Sequence, residues 1–286
     1  MATVNAWRKS AAVVFGIALV AFMAPAQVAS AQEAGGGTAP SGPSATDLAK
    51  KLSNPVAALI SVPLQLNFDR GIGPADEGER WLLNVQPVVP VTLNAEWNLI
   101  SRTIVPVVLQ DEIQPNSGSQ FGLGDIVQSV FFSPKAPTAN GVIWGAGPVF
   151  LLPTGTDALL SARKWGAGPT GVVLKQQGPW TYGALANHIW SVAGSDARAD
   201  VSTTFLQPFL SYTTADAWTF ALNTESTYDW ESRQWTVPVN ATVSKVTKIG
   251  DQLVSFGGGL RYWADGPDAA PSGWGARLFV TLLFPK

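Results

Sequence analysis

The sequence predicts an all-β protein, folded as a single antiparallel transmembrane β-barrel of about 12 strands with a short N-terminal helix or leader. Three observations lead to this prediction. Apolar and polar residues alternate in segments between Pro55 and the end of the chain. Short turns alternate with longer links between these segments, and the tryptophans lie near the predicted strand ends.

The composition agrees with a β protein and excludes one class of partner. The chain of 286 residues contains 28 Gly and 21 Pro, which interrupt helices too often for a helical bundle. With 18 basic and 20 acidic residues the formal net charge is −2, and no run of Lys and Arg is present. We therefore expect no nucleic-acid partner.

Residues 1–31 are predicted to be a secretory signal peptide. Arg8 and Lys9 precede an apolar stretch at residues 11–23, and the small-residue site Ala29-Ser30-Ala31 follows. An uncleaved membrane anchor is the alternative, but this stretch is shorter than the roughly 20 residues that a spanning helix needs. Because the chain has no cysteine, burial or a membrane must stabilise the exported fold without disulfides.

Residues 32–54 are expected to form a flexible leader that can include a short helix. The segment 32–44 is rich in Gly, Ala, Pro and Ser, whereas 46–52 reads as a helix that stops before Asn54-Pro55. The barrel is assigned to residues 55–286. No apolar stretch of helix-spanning length occurs after residue 31, so the predicted membrane spans are strands.

Three predicted strands show the alternation most clearly. Their apolar residues run from Ile60 to Phe68, from Trp235 to Val243 and from Leu278 to Phe284, at every second position. In a barrel one such face contacts lipid and the other points inward. The segments around Gly145 and Gly168 fit either phase.

The connections between predicted strands alternate in length. Short turns are expected near residues 94–95, 135–140, 178–179, 215–216 and 250–251, and longer links near 71–78, 111–120, 154–163, 194–200 and 264–273, with a short exception near 231–233. An even number of antiparallel strands, with short turns at one end and long loops at the other, is typical of an outer-membrane barrel. A soluble exported β-sandwich that binds a ligand is the alternative fold.

The tryptophans favour the barrel over the sandwich. Except for Trp7, each lies within a few residues of a predicted strand end. An indole is large and apolar with one polar N–H, so it prefers the boundary between hydrocarbon and headgroups. Two aromatic girdles are predicted, one near the long loops (Trp81, Trp165, Trp190, Trp230, Trp235, Trp263 and Trp274) and one near the short turns (Trp97, Trp144, Trp180 and Trp218).

Several short segments, spread over essentially the whole predicted mature chain, carry a family resemblance. They are SNPVA at 53–57, QPVVP at 86–90, WNLISR at 97–102, FGLGD at 121–125, WTYGALANH at 180–188, QPF at 207–209 and LFPK at 283–286. In these segments the chain resembles bacterial outer-membrane transporters related to proteins labelled "meta-pathway of phenol degradation", some of which carry the label neuromedin U. The resemblance implies a single barrel with a transport role, a loose association with aromatic compounds and no known catalytic residues.

Five charged residues are candidates for the lumen and for selectivity. They are Arg102, Asp125, Glu225, Arg261 and Arg277, and the polar residues expected on the same face include Asn84, Gln86, Thr92, Ser129, Asn223 and Thr227. Two interpretations stay open: an internal ion-pair network, or a charged lining that selects cargo. Because twelve strands enclose less space than a sixteen-stranded porin, a narrow conduit or a closed barrel is favoured over an open sieve.

The sequence offers little for catalysis or metal binding. His188 is the only histidine, and neither Asn187 nor Ser191 beside it belongs to a nucleophile motif. Asp76, Glu77 and Glu79 are interpreted as a solvated loop that also carries Arg80, more than as a weak Ca²⁺ site. We expect no enzyme activity, no bound metal and no cofactor.

The functional prediction is an outer-membrane protein of a Gram-negative-type cell. It is expected to contact membrane lipid and to act as a passive or weakly selective transporter for small molecules, apolar or aromatic ones among them. A closed barrel with a structural or surface-interaction role is the alternative function. The sequence names neither the cargo nor the oligomeric state.

Overall fold

The structure, a computed structural model, describes residues 43–285. The predicted signal peptide and residues 32–42 of the predicted leader lie outside the described residues. The described elements, in chain order, are α1 (Ala45–Leu52), β1 (Ile60–Ile72), β2 (Gly78–Val85), β3 (Val88–Thr92), β4 (Trp97–Asp111), β5 (Ser119–Leu123), β6 (Ile126–Pro134), β7 (Val142–Leu152), β8 (Lys164–Gln177), β9 (Trp180–Gly194), β10 (Ser202–Thr213), β11 (Trp218–Thr224), β12 (Ser226–Asp229), β13 (Gln234–Ile249), β14 (Gln252–Asp265) and β15 (Gly273–Phe284).

The strands form one closed antiparallel barrel of 12 strands, which confirms the predicted fold. The elements β2 and β3 together make one barrel strand, as do β5 and β6, and β11 and β12. The first and last strands pair in an unbroken register from Ile60 opposite Phe284 to Phe68 opposite Ala276. Since a single sheet closes on itself, the alternative of two packed sheets is excluded. The closed sheet leaves no edge strand with unpaired backbone N–H and C=O groups, as a hydrocarbon environment requires.

The alternation in the sequence separates the two faces of the barrel wall. Asn67 and Asn240 point inward and are almost fully buried, whereas Phe220 and Leu278 lie on the outer face with more than half of their surface exposed. A soluble domain would bury such large apolar side chains. The outer face is therefore suited to contact with lipid hydrocarbon.

Turns and loops sort to opposite ends of the barrel, as predicted. The connections at one end, called the short-turn end, are 93–96, 135–141, 178–179, 214–217 and 250–251; those at the other, the long-loop end, are 73–77, 112–118, 153–163, 195–201, 230–233 and 266–272. Within residues 43–285, no helix has the length and apolarity to cross a membrane.

Helix α1 has local signals for its start and its end. The Ser44 hydroxyl accepts a hydrogen bond from the backbone N–H of Asp47 at 3.1 Å, which caps the first turn. Asp47 in the first turn and Lys50 and Lys51 in the last complement the helix dipole. The Ser44 hydroxyl in turn donates a hydrogen bond to the Asp47 carboxylate at 2.7 Å, which lowers the pKa of Asp47. The helix ends before Asn54-Pro55, as the sequence predicts.

Residues 45–59, called the plug, pack inside the barrel at the short-turn end. Leu48 and Ala49 of α1 are buried in one cluster with Leu59 and with the inward-facing Val246 and Leu283 of the wall. Residues 45–54 of the predicted leader therefore include the expected short helix, packed against the inner wall. The amphipathic helix has an apolar face, and the barrel interior is where that face can be buried.

Hydrogen bonds and a second apolar cluster hold the plug in the same place. The Thr46 hydroxyl donates to the Ala215 carbonyl at 2.6 Å, and the Gln176 amide donates to the Lys50 carbonyl at 2.9 Å. Val56 packs against inward-facing residues of the opposite wall, namely Ile100, Phe131, Val172, Leu174 and Leu185. One side of the lumen is thus filled like a protein core at this level.

The assignment of the two faces can be tested on adjacent residues of β13. Val243 is 38% exposed on the outer face, whereas Thr242 lines an internal cavity. We expect Val243→Arg to lower the free energy of barrel unfolding by about 2–4 kcal/mol and Thr242→Arg to lower it clearly less, because only the first places a charge in hydrocarbon. Denaturant titration of refolded protein in lipid measures both; equal losses would contradict the assigned faces.

Candidate functional site

Three of the predicted lumen residues meet in a buried ion-pair network. Arg277 on β15 donates two hydrogen bonds to Glu225, with Nη1 at 2.9 Å from Oε1 and Nη2 at 2.7 Å from Oε2. Arg261 on β14 lies with Nη2 at 3.7 Å from Glu225 Oε2. Glu225 comes from the break between β11 and β12, so these bonds cross the interior between non-adjacent strands. The bidentate geometry orients both groups.

Asp69 belongs to the same network, although it is not among the five predicted candidates. Its Oδ2 lies 3.5 Å from Arg261 Nη1, and its Oδ1 accepts a hydrogen bond from Trp263 Nε1 at 2.8 Å. The carboxylate is almost fully buried. The sequence signal for Asp69 is the alternation of β1, which places Asp69 on the same inward face as Asn67.

Trp263 corrects the prediction of the aromatic girdle. Its indole points into the barrel, where the Arg261 guanidinium carbon lies 4.3 Å from the ring centroid. The interpretation of Trp263 as a girdle residue is therefore wrong. The reason is the period of two: Trp263 follows Arg261 by two positions and must share its inward face.

Arg80 also points inward, which corrects its assignment to a solvated loop. It lies on β2 and its Nε donates to Gln110 Oε1 at 3.0 Å; Gln110 is itself almost fully buried. Arg277 Nε donates in a similar way to Asn67 Oδ1 at 2.7 Å. The buried guanidinium groups thus donate hydrogen bonds to neutral side-chain amides as well as to the two carboxylates.

Asp125 does not join the three predicted candidates of the ion-pair network. It lies in the break between β5 and β6, where its two carboxylate oxygens accept the backbone N–H groups of Gly155 at 2.9 Å and Ala162 at 2.7 Å. These bonds tie down the long loop 153–163. Asp125 thus anchors this loop, and its role as a selectivity residue stays a prediction.

Arg102 faces a cavity rather than a carboxylate. Its Nη2 donates to Gln86 Oε1 at 2.9 Å, and no carboxylate in residues 43–285 forms an ion pair with it. The cavity, called the lumen cavity, has a volume of about 290 Å³ and lies beside the plug. Leu52 of the plug and Asn223 of the wall, two residues before Glu225, also line it.

The remaining predicted girdle tryptophans lie on the outer face. Trp81 and Trp97 are half-buried, and Trp144, Trp165, Trp180, Trp190, Trp218, Trp230, Trp235 and Trp274 are exposed. Several pack on other aromatic rings: Trp97 meets Trp144 edge-on, and Trp180 meets Tyr212. That they lie at the level of the lipid headgroups stays a prediction.

His188 lies on the outer face among aromatic rings. Its Nδ1 is 2.7 Å from the Thr204 hydroxyl, and Trp190 packs against its ring. Ser191 donates to Asp200 at 3.0 Å instead of pairing with His188. Lys164 donates to the same carboxylate at 2.9 Å, and these hydrogen bonds lower the pKa of Asp200.

Among the residues that the structure describes, no group of three or more His, Cys, Asp or Glu side chains is arranged to hold a metal ion.

Comparison with solved structures supports the fold. The chain is similar to the COG4313 outer membrane channel from Pseudomonas putida F1, with a TM-score of 0.61 and 14% sequence identity over 79% of this chain and 96% of that chain. The beta domain of the Bordetella autotransporter Brka has a TM-score of 0.45 and 12% identity, over 79% of this chain and 100% of that chain. The first similarity shows that the fold is that of an outer-membrane barrel.

The chain matches no family model, and no curated protein matches it. The resemblance to the phenol-degradation family therefore stays a prediction.

Proposed function

We propose that this protein is a passive or weakly selective channel for small molecules in the outer membrane of a Gram-negative-type cell. The observation that carries the proposal is the lumen cavity of about 290 Å³, which lies inside a closed barrel next to the ion-pair network. Twelve strands leave space between inward side chains that an eight-stranded barrel does not. The similarity to a structure described as an outer membrane channel supports the same function.

The interior favours a narrow path. Around β4, β6, β8 and β9 the lumen is filled by the apolar cluster with Val56, whereas the cavity side is lined by hydroxyl and amide groups such as Gln207 and Asn223. The plug restricts the short-turn end, and the ion pairs of Glu225 cross the interior beyond the cavity. Small molecules, including apolar or aromatic ones, suit such dimensions better than large solutes.

The same restrictions favour a second candidate function, that of a closed barrel with a structural or surface role. The plug and the ion-pair network both occupy the lumen. If neither the plug nor the ion-pair network moves, no solute passes through the barrel. The two functions differ in one measurable property, which is permeability.

We propose that the protein is not an enzyme and needs no cofactor. The arrangement of His188 supports this: its hydrogen-bond partner is Thr204, and the nearby Ser191 hydroxyl serves Asp200. A serine nucleophile needs a base within hydrogen-bond reach, and His188 does not form a hydrogen bond with Ser191. Membrane lipid is the proposed partner of the apolar outer face.

Reconstitution of the purified protein tests the channel function. We expect discrete conductance steps in planar bilayers, and swelling of proteoliposomes in small solutes such as monosaccharides that falls steeply with solute size, because the lumen is narrow. Heat-modifiable gel mobility shows in parallel that the barrel is folded. A folded preparation without conductance or swelling would instead establish the closed barrel.

A further inference from the structure

The charges around the lumen cavity have one sign. Two charged residues line it in the described part of the chain, Lys51 on α1 and Arg102 on β4, and both are cations. Its other lining groups are neutral hydroxyls, amides and apolar side chains. A cavity of this kind attracts an anion, since a buried cation lowers its free energy when an opposite charge approaches in low dielectric.

Arg102 retains hydrogen-bonding capacity for such an anion. A guanidinium carries five N–H donors in a planar fork, and the structure gives this one a single hydrogen bond, to Gln86. By contrast, Arg277 is bonded to both Glu225 oxygens and to Asn67. Glu225 is therefore already bound by another arginine.

The ion-pair network and the cavity lining together carry the same excess of positive charge. Their charged side chains are Lys51, Asp69, Arg80, Arg102, Glu225, Arg261 and Arg277. Five are cations and two are carboxylates. A narrow pore with a fixed positive charge favours anions over cations.

The size and apolar part of the cavity narrow the class of anion. Phe209, Phe279 and Val88 contribute apolar surface to the lining. A volume of about 290 Å³ is close to the lower limit of small-molecule pockets, which begin near 300 Å³. An arginine fork matches a carboxylate in bidentate geometry.

We propose that the lumen cavity binds small monocarboxylates with an apolar body, and that Arg102 binds the carboxylate. This inference rests on the proposed channel function, because it names the solute class that the channel prefers. The carboxylate pairs with Arg102 and the polar groups beside it, and the apolar body lies against Phe209 and Phe279.

The test is binding of benzoate to the folded, detergent-solubilised protein by isothermal titration calorimetry, with benzyl alcohol as the uncharged control ligand. We expect Arg102→Gln to weaken benzoate binding by about tenfold or more, since a charged hydrogen-bond partner is lost, and to leave benzyl alcohol binding nearly unchanged. Arg102→Lys keeps the charge without the fork and should fall between. Arg70→Gln, the same change at an exposed position, is the matched control.

A second variant keeps the test valid should Arg102→Gln fail to fold. Lys51→Gln alters an exposed side chain of the plug that also lines the cavity, and a severalfold loss of benzoate affinity is expected. Wild-type protein that does not bind benzoate, or variants that bind it equally well, would overturn the inference.

Bilayer recordings separate this inference from the proposed function. The wild type is expected to prefer anions in a KCl gradient, and Arg102→Gln is expected to reduce this preference. That result supports both the channel function and the monocarboxylate site. Conductance without benzoate binding or anion preference refutes the monocarboxylate site and leaves the channel intact. Benzoate binding without conductance supports the site and refutes the channel.

Discussion

Replacing Glu225 by alanine is expected to lower the free energy of barrel unfolding by about 3–5 kcal/mol. Glu225 is the carboxylate shared by Arg261 and Arg277, and its loss leaves Arg277 with Asn67 and no ion pair while it removes one of two partners from Arg261. Both arginines are almost fully buried, so water does not replace the lost carboxylate. Denaturant titration of the refolded protein in lipid measures the effect.

Two further variants show whether the loss comes from an unpaired charge. Glu231→Ala removes an exposed carboxylate from the short connection 230–233 and should change the free energy of unfolding by less than about 0.5 kcal/mol. The double variant Glu225→Leu with Arg277→Leu removes both charges, and its cost should be smaller than the sum of the two single changes. Additive losses would show that the pair is not coupled.

Undocking of the plug by Leu48→Glu is expected to increase single-channel conductance severalfold. Leu48 is fully buried against the inner wall, and a carboxylate there has no partner in its apolar cluster, which costs several kcal/mol. The plug should then leave the short-turn end of the lumen. Single-channel recording in planar bilayers measures the change.

Ala45→Glu is the matched control, because it adds the same charge at an exposed position in the first turn of the same helix. Tryptic cleavage after Lys50 and Lys51 reports independently on undocking. Protein that becomes cleavable there while its conductance stays unchanged would show that the plug does not restrict the path.

The period of two determined most of the fold from the sequence alone. Each side chain of a strand faces away from its neighbours, so the sequence around Asn67, Asn240 and Leu278 was enough to assign an inner and an outer face. Turn residues marked both ends of each strand. The number of strands, the closure of the barrel and the sorting of turns and loops followed from these two signals, and the structure confirms them.

The candidate site was only partly accessible from the sequence. Alternation places Arg102, Glu225, Arg261 and Arg277 on the inner face. It also places Asp69 there with Asn67, although Asp69 is not among the five selectivity candidates. Applied to the strand that carries Arg261, alternation places Trp263 inward as well. Asp125 lies in a break of the strand ladder, where alternation no longer predicts direction. Its bonds to Gly155 and Ala162 depend on how the loop 153–163 folds back.

Only the tertiary structure decided which inward residues meet. The sequence determined that the chain is a barrel with charges inside, because strand direction and burial are local consequences of the pattern. Whether Glu225 reaches Arg277, and whether Arg102 faces a cavity instead, depends on strand stagger and on distances across the lumen. The docking of α1 is also non-local: its apolar face is visible in the sequence, but the surface that buries it comes from strands close to 200 residues later.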